Sequence, residues 1–321
     1  MKRFFKIFGL FLLFQIFYIP ILAIILVYYG PFKYTRDMIV TTSMTTMTHQ
    51  YFATWFLDEE TINGILKANR PTEDIESQSL EDIKIDTEKK DEGVEYYDVS
   101  TDTFKGYLLK VNDPSRVKLV SAPKLGEVGS TTSQIVEAYD AVGGINASGF
   151  VGDALGTGGA LAGLMIEDGK LISGDEYSSY SVVGLTDKNV LVVSNYMTYS
   201  QMKNLNFRCA ASFGPVIIIN GQPTITYGDG GYGIQPRTAI GQTKDGAILM
   251  LVIDGRQTSS LGGTMRNVQD ILLNYGAYNA FNLDGGASTT MVYDGKVVNS
   301  PSDILGERYV PNAFIITKAN D

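Results

Sequence analysis

The chain has 321 residues, of which 44% are hydrophobic, so it has room for one large or two ordinary domains with a real core. Its formal net charge of −9 and its pI near 4.8 argue against the basic surface that nucleic-acid binding requires. The single cysteine, Cys209, excludes an intramolecular disulfide and a cysteine-cluster metal site, and the single histidine, His49, removes most histidine-based catalysis. Any chemistry must use carboxylates, Arg, Lys, Asn, Tyr or hydroxyls.

The first thirty residues have the pattern of a membrane anchor. A basic start is followed by an uncharged, apolar run from Ile7 to Tyr29. At 1.5 Å per residue, this run spans roughly 34 Å, enough for the hydrocarbon core of a bilayer. A cleaved signal peptide is the competing interpretation, but its apolar region is shorter and ends in small residues rather than two tyrosines. We expect residues 1–32 to be a cytoplasmic tip and a single-pass transmembrane anchor in the cell membrane. The C-terminal domain is then extracellular, because basic residues stay inside.

Two segments separate this anchor from the main domain. Residues 33–70 have apolar side chains at roughly helical spacing, which predicts a juxtamembrane helical region. In it, His49 and Trp55 are expected to be packing or membrane-surface groups. Residues 71–93 contain nine acidic side chains and few apolar ones. Because such a composition buries too little surface to offset the entropy of ordering, it predicts an acidic, solvated linker.

Residues 94–321 change to short strands separated by glycine-rich turns. Strands are predicted at 104–111, 116–122, 144–150, 161–166, 180–185, 190–194, 216–219, 238–242, 248–253 and 314–317. Hairpin turns are predicted at 112–115, 168–170, 220–222, 245–246 and 294–296. One helix is expected between Gly263 and Gly276, and a second near 135–139. The fold class is therefore α+β, a strand-rich mixed-sheet domain with a few helices, preceded by one N-terminal transmembrane helix.

Four segments of this domain share one design, in which an apolar strand delivers a polar side chain into a glycine-rich bend. They are residues 144–150, 235–241, 251–256 and 280–289. Binding and catalytic groups usually lie where rigid strands end in loops. The polar side chains delivered are Asn146, Arg237, Asp254, Arg256, Asn282 and Asp284. Each segment alone also fits an ordinary turn, since Asp-Gly is a common turn signal, and Arg256 could merely pair with Asp254.

Two carboxylates and two arginines without a histidine suit an anionic substrate and a reaction at an acetal carbon. Glycoside cleavage commonly uses a carboxylate pair around an oxocarbenium-like transition state. Arginine binds phosphate through two parallel hydrogen bonds. Asparagine side chains and backbone N–H groups are suited to sugar hydroxyls.

The order and spacing of these motifs resemble those of the phosphodiester glycosidase family. The resemblance rests on Arg237–Gly246, Leu251–Arg256, the following helix, and Asn282–Gly286 with Ser288 and Thr289. It extends from about Gly144 to Ile316. The family is typified by N-acetylglucosamine-1-phosphodiester alpha-N-acetylglucosaminidase and includes bacterial proteins of the exopolysaccharide-biosynthesis type. One departure is Ala287, which replaces a glycine common in the family, and Ala287 should therefore have a negative φ or accept a conformational cost.

The resemblance implies cleavage of a sugar-1-phosphodiester between the anomeric carbon and a phosphate oxygen. Asp284 is expected to be the nucleophile or the water-activating base, and Asp254 the second carboxylate or a group that orients Arg256. These two roles could be exchanged. The expected substrate-binding residues are Arg237, Arg256, Asn146, Ser148, Asn282, Gly285, Gly286, Ser288 and Thr289.

The expected partner is a glycosyl-phosphate polymer or oligosaccharide of the cell envelope or of an exopolysaccharide. No cofactor and no nucleic acid are expected, and the membrane is contacted through residues 7–29. Two other functions fit the same residues: a non-catalytic module that binds anionic glycopolymers, and glycosyl transfer to an acceptor hydroxyl. A cation held by Asp229, Asp254 or Asp284 is a further alternative, although three scattered aspartates are a weak pattern for one.

Overall fold

The computed structural model describes residues 2–46, 48–72, 77–85, 93–152 and 157–319. The α-helices within these ranges are α1 (Lys2–Tyr29), α2 (Lys33–Met44), α3 (Tyr51–Thr54), α4 (Glu59–Asn69), α5 (Thr132–Ala138), α6 (Tyr199–Asn204) and α7 (Met265–Asn274). The strands are β1 (Val94–Asp98), β2 (Gly106–Val111), β3 (Val117–Ser121), β4 (Gly143–Asn146), β5 (Met165–Glu167), β6 (Lys170–Ser173), β7 (Ser179–Thr186), β8 (Leu191–Thr198), β9 (Phe207–Ser212), β10 (Val216–Ile219), β11 (Gln222–Pro223), β12 (Arg237–Thr243), β13 (Ile248–Ile253), β14 (Ala277–Leu283), β15 (Met291–Tyr293), β16 (Lys296–Val297) and β17 (Asn312–Ile316).

The strands form three sheets. The largest has the order β1-β2-β13-β12-β14-β10-β11, the second β16-β15-β4-β17-β3, and the third β6-β5-β9-β7-β8. Neighbouring strands of these described ranges pair antiparallel throughout. The predicted strand-rich α+β class is confirmed.

The main core lies where the three sheets face one another. Met250 and Phe281 of the largest sheet, Phe314 of the second and Val183 of the third belong to one buried cluster. Burying one such side chain stabilises the fold by about 1.5–3 kcal/mol. The other face of the largest sheet is covered by α7, which contributes Val268 and Leu272. The central strands that lead to the polar bends are therefore fixed from both faces.

The start of α7 is fixed by a capping box. The Thr264 N–H donates to Asn267 Oδ1 over 2.9 Å, and the Asn267 N–H donates to Thr264 Oγ1 over 3.1 Å. These bonds satisfy donors that a helix start leaves without intrahelical partners. The helix predicted between Gly263 and Gly276 is thus present, and Gly276, at φ 82°, follows its end.

The predicted Asp-Gly and Asn-Gly turns join paired strands. Asp168 and Asp294 have φ values of 47° and 50°, in the left-handed region that a two-residue hairpin requires. The prediction of a hairpin at 112–115 was wrong, because β2 and β3 belong to different sheets. Asp113 Oδ1 accepts the Ser115 N–H over 2.9 Å and caps a 3₁₀ turn at Pro114–Arg116, which carries the chain from one sheet to the next.

The N-terminal helix α1 has the length and composition expected of a membrane span. The candidate span runs from Arg3 to Tyr29, 27 residues, and its most apolar window has no buried residue. A signal sequence near an N-terminus has the same features, so both interpretations from the sequence fit this helix.

The predicted helical region at 33–70 is present as α2, α3 and α4. Val40, Ala53, Ile62 and Ile65 form a small core of their own between these helices. The region also docks on the domain, as described below.

The expectation of a solvated spacer was wrong for residues 77–85, which lie against the domain. The Gln78 side chain pairs with the backbone of β8, donating to Leu191 O over 2.7 Å and accepting the Val193 N–H over 2.8 Å. Ile83 is buried, and the Tyr278 hydroxyl donates to the Asp82 carboxylate over 2.6 Å. Ile83, the partly buried Leu80 and a few specific bonds hold a segment whose average composition indicates a solvated chain. Residues 73–76 and 86–92 of the predicted linker lie outside the described residues.

Candidate active site

A cavity of about 860 Å³ opens at one end of the largest sheet. The antiparallel register explains why polar residues meet there. At the start of β12, Arg237 pairs with Ile253 at the end of β13, and Thr238 pairs with Leu283 at the end of β14. The bends that follow β13 and β14 therefore lie beside the first residues of β12.

Asp284 lies at this cavity and is the carboxylate among the described residues that line it. Its backbone is fixed on both sides, since its N–H donates to Ala147 O over 2.9 Å and its carbonyl accepts Asn146 Nδ2 over 2.6 Å. Burial raises the pKa of the Asp284 carboxyl to about 6, although hydrogen bonding by Ser288 and the charge of Arg308 act in the opposite direction. A carboxyl with a pKa this close to neutrality is suited to proton transfer.

The glycines after Asp284 allow the chain to pass close to its neighbours. A Cβ on Gly285 would lie 2.7 Å from the Pro236 carbonyl oxygen, so a side chain there requires the backbone to move. Gly286 has a φ of 59°, and a Cβ there would lie 3.4 Å from Arg256 Nη2. Ala287 lies inside the 3₁₀ turn Gly286–Ser288 and is not among the positive-φ residues, which confirms the prediction for this departure from the family pattern.

Arg237 lines the cavity from the first position of β12. Its Nε donates to Gly263 O over 3.0 Å, and its Nη2 donates to the carbonyls of Tyr232 and Gly233 over 2.9 and 2.6 Å. The Nη1 donors have no partner among the described residues. Burial lowers the pKa of Arg237 to about 10, so the side chain remains charged at neutral pH. Arg237 thus braces the loop 232–233 and leaves one nitrogen for a ligand.

Two further arginines reach the cavity from loops. The Arg256 guanidinium donates to Gln235 Oε1 from Nη2 over 2.6 Å and from Nε over 3.2 Å. Burial and the nearby charge of Arg308 both lower the pKa of Arg256. Neither arginine forms an ion pair with a carboxylate in the described part of the chain. Two neighbouring cations without such a partner make a site for an anion.

Arg308 was missed by the sequence reasoning. Its guanidinium carbon lies 4.7 Å from the centre of the Phe150 ring, a cation–π distance that fixes the side chain at the mouth of the cavity. Arg308 belongs to the chain excursion between β16 and β17 and follows no predicted strand. No local signal of the kind used above could have found it.

Two residues of the cavity wall each carry a buried oxygen that has no hydrogen-bond partner among the described residues. These oxygens are Asn282 Oδ1 and Ser181 Oγ. The Asn282 side chain is fixed by its other end, since Nδ2 donates to Gly214 O over 2.8 Å. Leaving a buried polar atom without a partner costs about 1–3 kcal/mol, so a ligand hydroxyl that bonds to these oxygens gains affinity. Asn282 was predicted as a sugar contact, whereas Ser181 was not singled out.

Asp254 does not line the cavity. Its buried carboxylate accepts Asn299 Nδ2 over 2.8 Å and the Ser300 N–H over 3.0 and 2.9 Å. Burial raises the pKa of Asp254, and these two donors lower it in part. The expected carboxylate pair is therefore not formed at the cavity, and Asp254 instead fixes the bend that carries Arg256.

Three other predicted binding residues are buried supports. Asn146 Oδ1 accepts Thr238 Oγ1 over 3.0 Å and the Thr290 N–H over 3.1 Å, while its Nδ2 holds Asp284 as described above. Ser148 is paired with Asn312, and Thr289 lies against Thr238, neither of them lining the cavity. By contrast, Gly285, Gly286 and Ser288 do line it, together with Arg237, Arg256 and Asn282.

The aspartates named as cation ligands point to separate partners. Asp229 accepts the Thr41 hydroxyl and the Gly231 N–H, whereas Asp254 faces Asn299 and Asp284 faces the cavity. Across the ranges described above, no three His, Cys, Asp or Glu side chains are grouped as metal ligands would be.

Curated relatives match part of the chain. It is 31% identical over 191 residues to the SPbeta prophage-derived uncharacterized protein YomE of Bacillus subtilis (strain 168), covering 55% of this chain and 28% of that protein. It is 40% identical over 70 residues to the N-acetylglucosamine-1-phosphodiester alpha-N-acetylglucosaminidase of Bos taurus, covering 22% of this chain and 13% of that enzyme. The chain thus spans less than a third of either relative.

Two solved structures have a similar fold. One is the zebrafish N-acetylglucosamine-1-phosphodiester alpha-N-acetylglucosaminidase catalytic domain, auto-inhibited by its pro-peptide. It matches with a TM-score of 0.61 and 20% identity over 74% of this chain and 87% of that one. The other is a putative exported protein from Burkholderia pseudomallei, with a TM-score of 0.51 and 16% identity over 67% of this chain and 74% of that one. Residues 139–317, more than half of the chain, match the family model described as phosphodiester glycosidase. The chain therefore belongs to the phosphodiester glycosidase family.

Proposed function

We propose that the protein hydrolyses a glycosyl phosphodiester at the anomeric carbon, with Asp284 as the reactive carboxylate. The observation that carries this proposal is a buried carboxyl with a pKa raised to about 6, placed in a cavity beside arginines that form no ion pair with a carboxylate among the described residues. Family membership supports the reaction class, and the name of the bovine relative supports an N-acetylglucosamine-1-phosphodiester as the first substrate to test.

The arginines have the role of binding the phosphate. Arg256 and Arg308 neutralise the charge that collects on the leaving phosphate as the bond to the anomeric carbon breaks. A phosphomonoester has a second pKa of about 6, so its departure needs less help from a general acid than the departure of an alkoxide. This difference agrees with a cavity in which one carboxylate, rather than a pair, lies among the described lining residues.

The sugar is assigned to the wall formed by Asn282 and Ser181, whose side-chain oxygens have no partner in the described part of the chain and would accept hydroxyl protons. Asp284 then acts on the anomeric carbon, either by direct attack or by removing a proton from the attacking water. In both cases the water oxygen ends on the sugar, and the electron pair of the broken C–O bond ends on the phosphate. Asp254 has the supporting role of fixing the Arg256 bend, and Asn146 that of fixing the Asp284 backbone.

The N-terminal helix supports a location at the cell envelope. As a single-pass anchor with its N-terminus in the cytoplasm, α1 holds the cavity outside the membrane, within reach of glycosyl-phosphate polymers or oligosaccharides. An apolar helix of this length is also consistent with a signal sequence. The topology is therefore part of the proposal, together with the activity.

The test is hydrolysis of UDP-GlcNAc and of an aryl α-GlcNAc-1-phosphodiester by the detergent-solubilised full-length protein. The expected products are free GlcNAc with UDP from the first substrate and free GlcNAc with the aryl phosphate from the second, formed by the wild type and absent with Asp284→Asn. Saturable binding of these compounds without product release would contradict hydrolysis and identify a binding module. A new glycoside formed when acceptor glycan is added would identify transfer in place of hydrolysis.

A further inference from the structure

The helical region between the membrane helix and the domain forms part of the candidate active site. Gln235 Nε2 donates to Thr45 Oγ1 over 3.2 Å, and both residues line the cavity. One residue earlier, the Ile234 N–H donates to Thr42 Oγ1 over 3.2 Å. Gln235 also accepts a hydrogen bond from the Arg256 guanidinium. A single side chain, that of Gln235, therefore links Thr45, at the end of α2, to an arginine to which we assign the phosphate.

On the other side of this contact lies a second cavity, an apolar groove of about 530 Å³. Its walls come from α1, α2, the segment around α3 and the loop before β12; Tyr28, Met38, Ile39, Phe52 and Ile234 are among them. A volume of roughly 300–1,000 Å³ is typical of ligand sites. The groove and the active-site cavity therefore adjoin at the contact that Thr42 and Thr45 make with Ile234 and Gln235.

The groove lies at the membrane end of the molecule. Tyr28, which lines it, is the penultimate residue of α1, and its hydroxyl donates to the Phe52 carbonyl. Next to it, the α3 region exposes three aromatic side chains, Tyr51 at 37%, Phe52 at 46% and Trp55 at 75%. Tryptophan and tyrosine at the end of a membrane helix mark the level of the lipid headgroups. A lipid chain that leaves the bilayer at this level meets the apolar groove first.

We propose that the substrate is a lipid-linked glycosyl phosphodiester, with its sugar-1-phosphate in the Asp284 cavity and its lipid chain in the groove between α1, α2 and Ile234. A lipid chain is assigned to the groove for two reasons. The end of the membrane helix α1 lines the groove, and the groove adjoins the phosphate site. Water adds to the anomeric carbon, the bond from that carbon to the phosphate oxygen breaks, and a lipid monophosphate stays in the membrane. This inference rests on the proposed function and specifies its substrate class.

The test compares two probes with the same sugar-1-phosphate, the butyl and the farnesyl esters of α-GlcNAc-1-phosphate, presented to the full-length protein in mixed micelles. Since each buried methylene adds to affinity, the wild type should hydrolyse the farnesyl ester with a kcat/KM at least about tenfold higher. Ile39→Gln places a polar group in the groove and should reduce this ratio to below about threefold. The matched control is Tyr34→Gln, on the same helix but outside the groove, which should keep the wild-type ratio.

The rate with the butyl ester separates the outcomes. If the wild type hydrolyses both esters equally well, or if Ile39→Gln keeps the farnesyl preference, the lipid proposal is wrong and the proposed function stands. If the wild type hydrolyses neither ester, both are wrong. A loss of both rates in Ile39→Gln would indicate misfolding, and the decision then passes to Met38→Gln, which changes the same groove at a flexible side chain.

Discussion

Two Asp-Gly bends, at the ends of the strands on either side of β12, illustrate how similar local sequences take different roles. Asp254 follows β13 and Asp284 follows β14, and a Cβ on the glycine after either one would lie within 2.8 Å of Pro236. Burial raises the pKa of both carboxyls. Yet the Asp254 carboxylate accepts bonds from Asn299 and Ser300, whereas that of Asp284 faces a cavity with arginines.

The difference comes from one distant segment, the excursion between β16 and β17. Asn299 and Ser300 of this segment supply the donors that fix Asp254, and Arg308 of the same segment reaches the cavity of Asp284. Partner groups, more than burial, therefore distinguish the supporting carboxylate, Asp254, from Asp284, the carboxylate that we propose to react.

The largest expected effect is on catalysis, when each of the two aspartates is replaced in turn by the uncharged asparagine. Asp284→Asn should lower kcat/KM for the aryl phosphodiester by about 10³-fold or more, because an amide neither attacks nor accepts a proton. Asp254→Asn should stay within about threefold of wild type, since Asn299 and the Ser300 N–H both donate to Oδ1, which an amide retains, and only the second contact of the Ser300 N–H, to Oδ2, is lost. Equal losses in the two variants would show that both aspartates act in the reaction.

The arginines sharpen the comparison, since their side chains line the cavity that contains Asp284, whereas Asp254 does not line it. Arg256→Gln should lower kcat/KM by about 10²-fold, the typical cost of removing one charge-stabilising donor. The control is Arg266→Gln on α7, where the side chain pairs with Asp270 over 3.6 Å away from the cavity. Steady-state kinetics with UDP-GlcNAc and with the aryl phosphodiester measure kcat/KM for the two variants. A wild-type value in Arg256→Gln would show that Arg256 does not bind the phosphate.

The pH dependence tests the environment of Asp284. As nucleophile or base, Asp284 must be ionised, so kcat/KM should rise as the pH increases through about 6 and level off above it. Arg308→Gln should move this limb to higher pH, because the charge of Arg308 lowers the pKa of Asp284. Rates measured between about pH 4 and pH 8 should show both features. A rate that is flat across this range would exclude Asp284 as the titrating group.

The smallest effects concern stability. Replacing Asp284 and replacing Asp254 should change the free energy of unfolding in opposite directions. Because burial raises the pKa of Asp284 in the folded state, the folded protein holds a proton that the unfolded chain releases between about pH 4 and pH 6. Wild-type stability thus falls as the pH rises through this window. Asp284→Asn should remove that loss and raise the free energy of unfolding at pH 7 by about 1–2 kcal/mol, with no gain near pH 4.

Asp254→Ala should instead destabilise the fold by about 1–3 kcal/mol, because Asn299 and Ser300 lose their acceptor. Denaturant unfolding of both variants at pH 7 and at pH 4 makes the measurement. A destabilised Asp284→Asn at pH 7 would mean that the carboxylate is a structural partner like Asp254.

What the sequence predicted well was local. Asp168-Gly169 and Asp294-Gly295 form turns because their own backbone preferences require it, and α7 follows from its apolar stripe and its end at Gly276. The bends with Asp284 and Arg237 were also predicted, since strand ends and glycines mark them.

The partners of these residues were not predictable, because they come from far along the chain. Asp254 and Asp284 look alike locally, and Asn299, which distinguishes them, lies 45 residues from Asp254. Arg308 follows no predicted strand, and Ile83 is one of a few apolar residues in an acidic stretch. In each case the role depends on which surface the fold places opposite the residue.

Hydrolysis in water enriched in oxygen-18 tests most directly whether the bond that breaks is the one at the anomeric carbon. With Asp284 acting at that carbon, the label should appear in the C1 hydroxyl of the released sugar, and the phosphomonoester should remain unlabelled. Label in the phosphate would show attack at phosphorus, and the assignment of Asp284 as a glycosidase carboxylate would then be wrong.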